Sequence, residues 1–249
     1  MRQTRIHIDE PLSTGRYVEL DGDKARYLGK VLRLHTGDTI TVFNGSDGEF
    51  EAALAGLKKN SVSLSIGRPV ENDAESPLNV HLVQGVSRGE RMDFVVQKAT
   101  ELGVKRITPV LTEYGVVKLS ADRARKRQEH WQKVAISACE QSGRVRPPLV
   151  EAPIALKTWF GGGPSSAGTD LILKPGAATP LASVAPPETK VCLLIGPEGG
   201  FSQTEYEDAA VVGFTPVSLG PRILRTETAA AAALSVVQAN WGDCGDSNE

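Results

Sequence analysis

The sequence predicts an α/β protein in which a small N-terminal β-barrel precedes a larger domain built on a largely parallel sheet. Three observations carry this. Residues 17–66 hold short segments rich in Val, Ile, Phe and Thr, separated by Gly-containing turns. From Leu78 onward, strand-like runs alternate with longer amphipathic segments, the rhythm of βα units. Between them, residues 69–77 (PVENDAESP) combine two prolines with Glu71, Asp73 and Glu75 and show no apolar period, as a linker does. The expected division is 1–70 for the barrel, 71–77 for the linker, 78–244 for the α/β domain and 245–249 for a tail.

In the first part, YVEL, TITVF, EFEAAL and SVSLSI alternate apolar and polar residues, and the turns fall at Asp21-Gly22, at 36–38 and at 44–48. A short helix is expected over Asp23–Arg33, with Ala25, Leu28, Val31 and Leu32 on one side. Closing such strands into a barrel removes their exposed edges. In the second part, NVHLVQGV is a strand. Arg91–Leu102 is a helix, with Met92, Val95, Val96, Ala99 and Leu102 at helical spacing and Gly103 past its end. ITPVLT is the next strand, and Ser120 caps a helix that runs to about Ser142 and stops at Gly143. DLILKPG and the buried KVCLLIG are strands. Ser202 and Glu205 form a capping box for another helix, PVSLG is a last strand, and Glu227–Asn240 is a last helix.

A hydrophobic fraction of 40% is sufficient for a packed core, and a net charge of -2 says nothing about partners. The distribution says more: residues 84–148 hold 13 Lys and Arg against 7 Asp and Glu. That excess suits either a solvated helical face or a polyanion-binding surface. Cys139, Cys192 and Cys244 are odd in number, with no CxxC pair, which argues against a disulfide framework or a cysteine-built metal site. The N-terminus lacks the apolar core of a signal peptide, and no run of about 18 apolar residues occurs. A cytoplasmic protein without a membrane partner is expected.

Two loops occupy the address where open α/β sheets bind ligands, beyond the carboxyl ends of strands. One is Gly196-Pro197-Glu198-Gly199-Gly200-Phe201; the other runs from Gly220 to Thr228 as GPRILRTET. Neither phosphate-loop pattern, G-x-x-x-x-G-K-[ST] or G-x-G-x-x-G, is present. Glu198 would repel phosphate, while Ile223 and Leu224 add an apolar wall better suited to a neutral base. Each loop alone also fits an ordinary tight turn before a capped helix. Gly199 is expected to leave room for the ligand.

These loops lie within longer motifs: RIHIDEPL, HLVQGVSRGERMDFVVQKATELGVKRITPVLTE, WQKVAISACEQSGR, LLIGPEGGFS and LGPRILRTETAA. With them the chain resembles the SPOUT superfamily and, more closely, the bacterial 16S ribosomal RNA uridine N3-methyltransferases, over nearly its whole length. The resemblance implies a PUA-like N-terminal barrel for RNA and a C-terminal SPOUT α/β domain with a trefoil knot. It also implies a homodimer, S-adenosylmethionine as cofactor, and 16S ribosomal RNA or the small subunit as substrate, with 3-methyluridine as product.

Carried over by motif, the cofactor contacts would be Leu173, Lys174, Ile195, Gly196, Pro197, Glu198, Gly199, Gly200, Leu219, Gly220, Pro221, Ile223, Leu224, Arg225, Thr226 and Glu227. The family often has His and Arg where this chain has Lys174 and Gly176. Methyl transfer from a sulfonium needs alignment rather than a metal. Loss of the uridine N3 proton leaves an imide anion, so a base or a cationic stabiliser is useful. Arg225 is expected to hold the uracil or its developing charge, and Glu198 and Glu227 are the carboxylates that could act as base or touch the cofactor. For Glu227, charge complementarity at a helix start is an equally good reading. His7, His35, His81 and His130 lie outside both loops and are expected to be packing or surface residues. Arg5, Arg33, Arg88, Arg91, Arg144 and Arg146 are the expected RNA contacts. Close alternatives are a SPOUT enzyme acting on another RNA site and a non-catalytic RNA-binding ribosome assembly factor. A nucleotide hydrolase is disfavoured by the missing phosphate-loop lysine.

Overall fold

The structure, a computed structural model, describes residues 4–58, 60–115, 120–162, 168–187 and 190–245. The last four positions of the expected tail, 246–249, fall outside these. The chain forms two units: residues 1–75 together with 139–146, and residues 76–138 together with 147–249. The return of Cys139–Arg146 to the first unit is a feature that the expected division did not include.

The first unit is a five-stranded sheet. β1 (Arg5–His7) pairs in parallel with β3 (Thr39–Phe43), which continues antiparallel through β4 (Glu49–Leu57) and β5 (Ser61–Val70) to β2 (Tyr17–Asp21). Alternation is visible in β2, where Val18 and Leu20 are buried and their neighbours exposed. These strands enclose Ile6, Ile40, Val42, Leu54, Leu64 and Ile66. The helix expected over 23–33 is instead α1 (Gly22–Arg26) followed by a π-helical turn, Tyr27–Val31. The wider turn changes the angular spacing of side chains, so Leu28 is fully buried while Val31 is 64% exposed. Arg33 closes this turn with a φ of 55°.

The second unit is built on an all-parallel seven-stranded sheet. β6 (Asn79–Gly85) is flanked by β7 (Arg106–Leu111) and β11 (Lys190–Ile195). β7 carries the two-residue strands β8 (Leu149–Val150) and β9 (Ile154–Ala155), and the other edge continues through β10 (Thr169–Leu173) to β12 (Thr215–Val217). One face is covered by α2 (Arg91–Glu101), α3 (Ala121–Ser142) and α6 (Thr226–Trp241), with Met92, Val96, Trp131, Ala233 and Leu234 buried against the strands. The other face is covered by α4 (Leu156–Gly161) and α5 (Gln203–Val211), through Leu156, Phe160 and Ala209. Burial on both faces explains the continuous apolar run of β11 from Val191 to Ile195.

The helix ends follow from their sequences. The Ser202 hydroxyl accepts from the Glu205 N–H at 3.2 Å, and the Glu205 carboxylate accepts from the Ser202 N–H at 2.8 Å, so the capping box is formed. Gly103 takes the left-handed conformation after α2, with φ 78°. The Ser120 carbonyl accepts the Ala124 N–H at the start of α3.

Candidate functional site

Three neighbouring strands, β11, β10 and β12, end at one cavity of about 480 Å³ in the second unit. Leu173, Ile195 and Val217, near those strand ends, supply apolar wall together with Leu219, Ile223 and Leu224. Polar groups come from Lys174, Glu198, Arg225, Thr226 and Glu227. A mostly apolar cleft of this size with a few converging polar groups suits a small organic ligand. The two loops singled out in the sequence are brought together here.

Of the expected cofactor contacts, Gly199 and Pro221 are not on the cavity wall, and the other fourteen are. Gly199 serves a different neighbour: a Cβ there would lie 2.8 Å from the Tyr114 carbonyl oxygen and 3.0 Å from its Cβ. Its missing side chain lets the segment after β7 approach the loop, a steric reason unrelated to ligand space. The wall also includes Arg91, Pro175, Phe201, Tyr206, Arg222 and Ala229, which were not among the expected cofactor contacts. Lys174 Nζ lies 4.8 Å from the Tyr206 ring centroid, a cation–π distance.

The two carboxylates differ. Glu198 Oε1 accepts the Arg91 guanidinium at 2.5 Å and the Arg88 backbone N–H at 3.2 Å. Burial raises the Glu198 pKa, but its own backbone N–H, the Arg91 guanidinium and the Arg88 N–H outweigh burial and hold the group below the usual carboxylate range. Glu227 has one oxygen 3.9 Å from Arg91 Nε, while its Oε2 is buried with no hydrogen-bond partner among the described residues. Arg225, at the N-cap of α6, is exposed and has no ion-pair partner among the described residues.

Two residues that were not among the expected site residues sit beneath the loops. Gly85, at the end of β6, is packed so closely that a Cβ would lie 2.4 Å from Pro197 N. Gln84 is fully buried, and its Nε2 donates to Thr226 Oγ1 at 3.0 Å, which donates to the Gly196 carbonyl at 2.7 Å. Only the run HLVQGV could have hinted at this, through a glutamine in an otherwise apolar buried strand.

The cationic candidates divide sharply. Arg33, Arg88, Arg91 and Arg146 are exposed. Arg5 and Arg144 are not surface cations. Arg5 Nε is 2.7 Å from Glu49 Oε1, and its Nη1 donates to the Cys139 carbonyl at 2.7 Å. Arg144 is 2% exposed and pairs with Glu75 at 2.9 Å. Both guanidiniums satisfy buried acceptors in the first unit, which replaces the expectation that they meet RNA. None of the four histidines lines the cavity. His81 is half-buried on β6 and pairs with Thr108 Oγ1 at 2.7 Å.

Comparison with known proteins identifies this arrangement. A family model described as an RNA methyltransferase domain matches residues 74–238, and one described as an RNA methyltransferase PUA domain matches residues 20–67. The chain belongs to the RNA methyltransferase family. It is 35% identical over 242 residues to the ribosomal RNA small subunit methyltransferase E of Buchnera aphidicola from Schizaphis graminum, covering 97% of this chain and 98% of the relative. The Bacillus subtilis protein of the same name is 30% identical, with 88% of each chain covered. Among solved structures, ribosomal RNA small subunit methyltransferase E from Neisseria gonorrhoeae, bound to S-adenosylmethionine, superposes with a TM-score of 0.91 at 40% identity, over 98% of this chain and 100% of that one. A Legionella pneumophila protein solved with bound S-adenosylmethionine gives 0.92 at 41% identity, over 98% and 100%. The first sheet of this RNA methyltransferase is thus PUA-like and its parallel-sheet unit SPOUT-like. No described helix is long and apolar enough to cross a membrane.

Proposed function

We infer that this RNA methyltransferase uses S-adenosylmethionine to methylate N3 of a uridine in 16S ribosomal RNA of the small subunit. The observation that carries the reading is the cavity at the ends of β11, β10 and β12, in a chain whose relatives are named small subunit methyltransferases and whose structural neighbours hold that cofactor. The residues present fit the group. The apolar walls suit an adenine, and the carboxylates of Glu198 and Glu227 suit a ligand that carries an ammonium and a sulfonium. The unpartnered Glu227 Oε2 is a polar atom that still needs a donor.

S-adenosylmethionine supplies a methyl carbon bonded to a positively charged sulfur. The protein must align the uracil with that carbon, remove the N3 proton and stabilise the resulting charge. Arg225, exposed and without an ion pair among the described residues, is placed to hold the uracil and the imide charge that develops. Glu198 is engaged by Arg91 and Arg88 and kept ionised, so its assigned part is holding the loop rather than accepting the proton. Glu227 is the remaining carboxylate on the wall and takes the proton. As the N3–H bond breaks, the nitrogen lone pair forms the new N–C bond. The carbon–sulfur bond breaks with its electrons left on sulfur, as a neutral thioether.

Arg33, Arg88, Arg91 and Arg146 are the proposed RNA contacts. The target base must be splayed out, because N3 faces its pairing partner in a helix. The reading includes residues 1–70 as the RNA-binding barrel, 78–244 as the catalytic domain, a trefoil knot around the two loops, a homodimer and a cytoplasmic location. Mass spectrometry of ribosomal RNA from a strain lacking the protein tests it: 3-methyluridine should disappear from the small-subunit RNA. Its persistence at the normal level would overturn the reading.

A further inference from the structure

We propose that Gln84 is a positioning residue for the cofactor cavity, acting through Thr226 to fix the two loops against each other. This rests on the S-adenosylmethionine reading of that cavity. Gln84 does not line the cavity, so it acts through others. It lies one residue from the end of β6, where the strand buries Val83, Gln84 and Gly85 in succession between two helical layers. An apolar side chain is the expected occupant of such a place, and a primary amide there loses its hydration.

The loss is only half compensated. Gln84 Oε1 is buried with no partner among the described residues, so the amide is retained for what its NH2 group does. That group donates to Thr226 Oγ1 at 3.0 Å and approaches the carbonyls of Gly85 at 3.2 Å and Ile195 at 3.4 Å. Thr226 Oγ1 in turn donates to the Gly196 carbonyl at 2.7 Å. Thr226 is the first residue of α6 and closes the second loop, and Gly196 opens the first. One buried chain, amide to hydroxyl to carbonyl, therefore joins the β6 end, the β11 end and the start of α6. The hydroxyl can donate to Gly196 only along one direction. The Gln84 N–H occupies one of its two lone pairs and so favours that direction.

A second tie runs above it. The segment that follows β6 carries Arg88 and Arg91, which reach Glu198 in the first loop and Glu227 in the second. The ionic tie is exposed to solvent, whereas the Gln84 tie is dry and keeps one geometry.

A double-mutant cycle on the full chain tests this, with S-adenosylmethionine binding read by calorimetry and steady-state KM and kcat measured alongside. Gln84→Met, which breaks the link to the hydroxyl, should weaken cofactor binding by about fivefold to tenfold, and Thr226→Val, which removes both hydrogen bonds of the chain, by at least as much. Both should raise KM for the cofactor more than they lower kcat. The double variant should be no weaker than Thr226→Val alone, because the two residues form one chain. Thr226→Ser, which keeps the hydroxyl, should recover most of the affinity lost in Thr226→Val. It also serves if Gln84→Met fails to fold: equal loss of affinity in Thr226→Ser and Thr226→Val then overturns the proposal. Unchanged affinity in a folded Gln84→Met, or multiplicative losses in the double variant, overturn it as well. A parent chain that binds no S-adenosylmethionine overturns the proposed function itself, and this inference with it.

Discussion

Arg91 Nη1 sits 2.5 Å from Glu198 Oε1 and its Nε 3.9 Å from Glu227 Oε1, so one guanidinium from α2 spans a carboxylate of each cavity loop. The pair is partly solvated, with side chains 42% and 27% exposed. Its contribution to stability should therefore be about 0–1 kcal/mol. Its effect on Glu198 is more direct, since the carboxyl is held below the usual range and the pairing weakens as pH falls through that lowered value. NMR titration of the Glu198 carboxyl should show it moving upward in Arg91→Met. No movement would mean the pair is not formed in solution.

Arg225→Ala should leave folding and cofactor affinity close to the parent. Its methylation rate should fall by about 100-fold or more, as for removal of a charge-stabilising donor. Single-turnover kinetics on RNA, with thermal unfolding as control, separate these. Normal turnover would take Arg225 out of the mechanism.

Gly85→Ala places a methyl group 2.4 Å from Pro197 N, against backbone that cannot rotate away. The loop must shift, at about 1–3 kcal/mol of stability. Cofactor affinity should fall with it, measured by calorimetry. Gly199→Ala should instead strain the contact with Tyr114, 2.8 Å from its carbonyl oxygen.

The His81 imidazole is driven down to about 4, by burial first and by the Arg106 guanidinium second, with Glu151 opposing them. An unfolded histidine binds a proton below about 6.5, whereas this one stays neutral until much lower pH. The neutral pairing therefore stabilises the fold above pH 6.5 and is lost as pH falls from there toward 4. Urea unfolding should show a loss of about 2 kcal/mol between pH 7 and pH 5 from this residue. His81→Leu should flatten that part of the profile; an unchanged slope would assign it to other groups.

Arg144→Ala removes one partner of a largely buried pair and leaves Glu75 held only by the Val145 and Arg146 N–H groups, so it should cost about 3 kcal/mol. Arg88→Ala should leave stability unchanged and reduce the slope of log affinity against log salt for RNA by about 1. The reverse pattern would return Arg144 to the RNA surface.

Much of the architecture was readable in the residues. The Ser202–Glu205 box, Gly103 after α2 and the buried run of β11 each have a local cause, and the structure forms them. The strands of two residues, β8 and β9, and the short α4 carry too little periodicity to be seen in advance. The π-helical turn at Tyr27–Val31 is invisible to a pattern based on 3.6 residues. At the cavity the loops were legible because glycine, proline and acids concentrate there. Gln84 and Gly85 were not, because their reason is a neighbour more than a hundred residues away. Arg5 and Arg144 look like any other arginines until Glu49 and Glu75 are placed beside them.

The segment Cys139–Arg146 belongs with residues 1–75, although more than sixty residues of the other unit separate them in the chain. During synthesis, the first sheet emerges long before its last pieces. Glu75 must wait for Arg144, and Glu49 waits with Asn72 for the backbone of Gly143. The N-terminal unit thus reaches its full set of contacts only after the ribosome has also produced β6, α2, β7 and α3. A cut after Glu75 would separate Arg144 from its carboxylate, and the N-terminal piece obtained that way lacks Cys139–Arg146 and is not a complete unit.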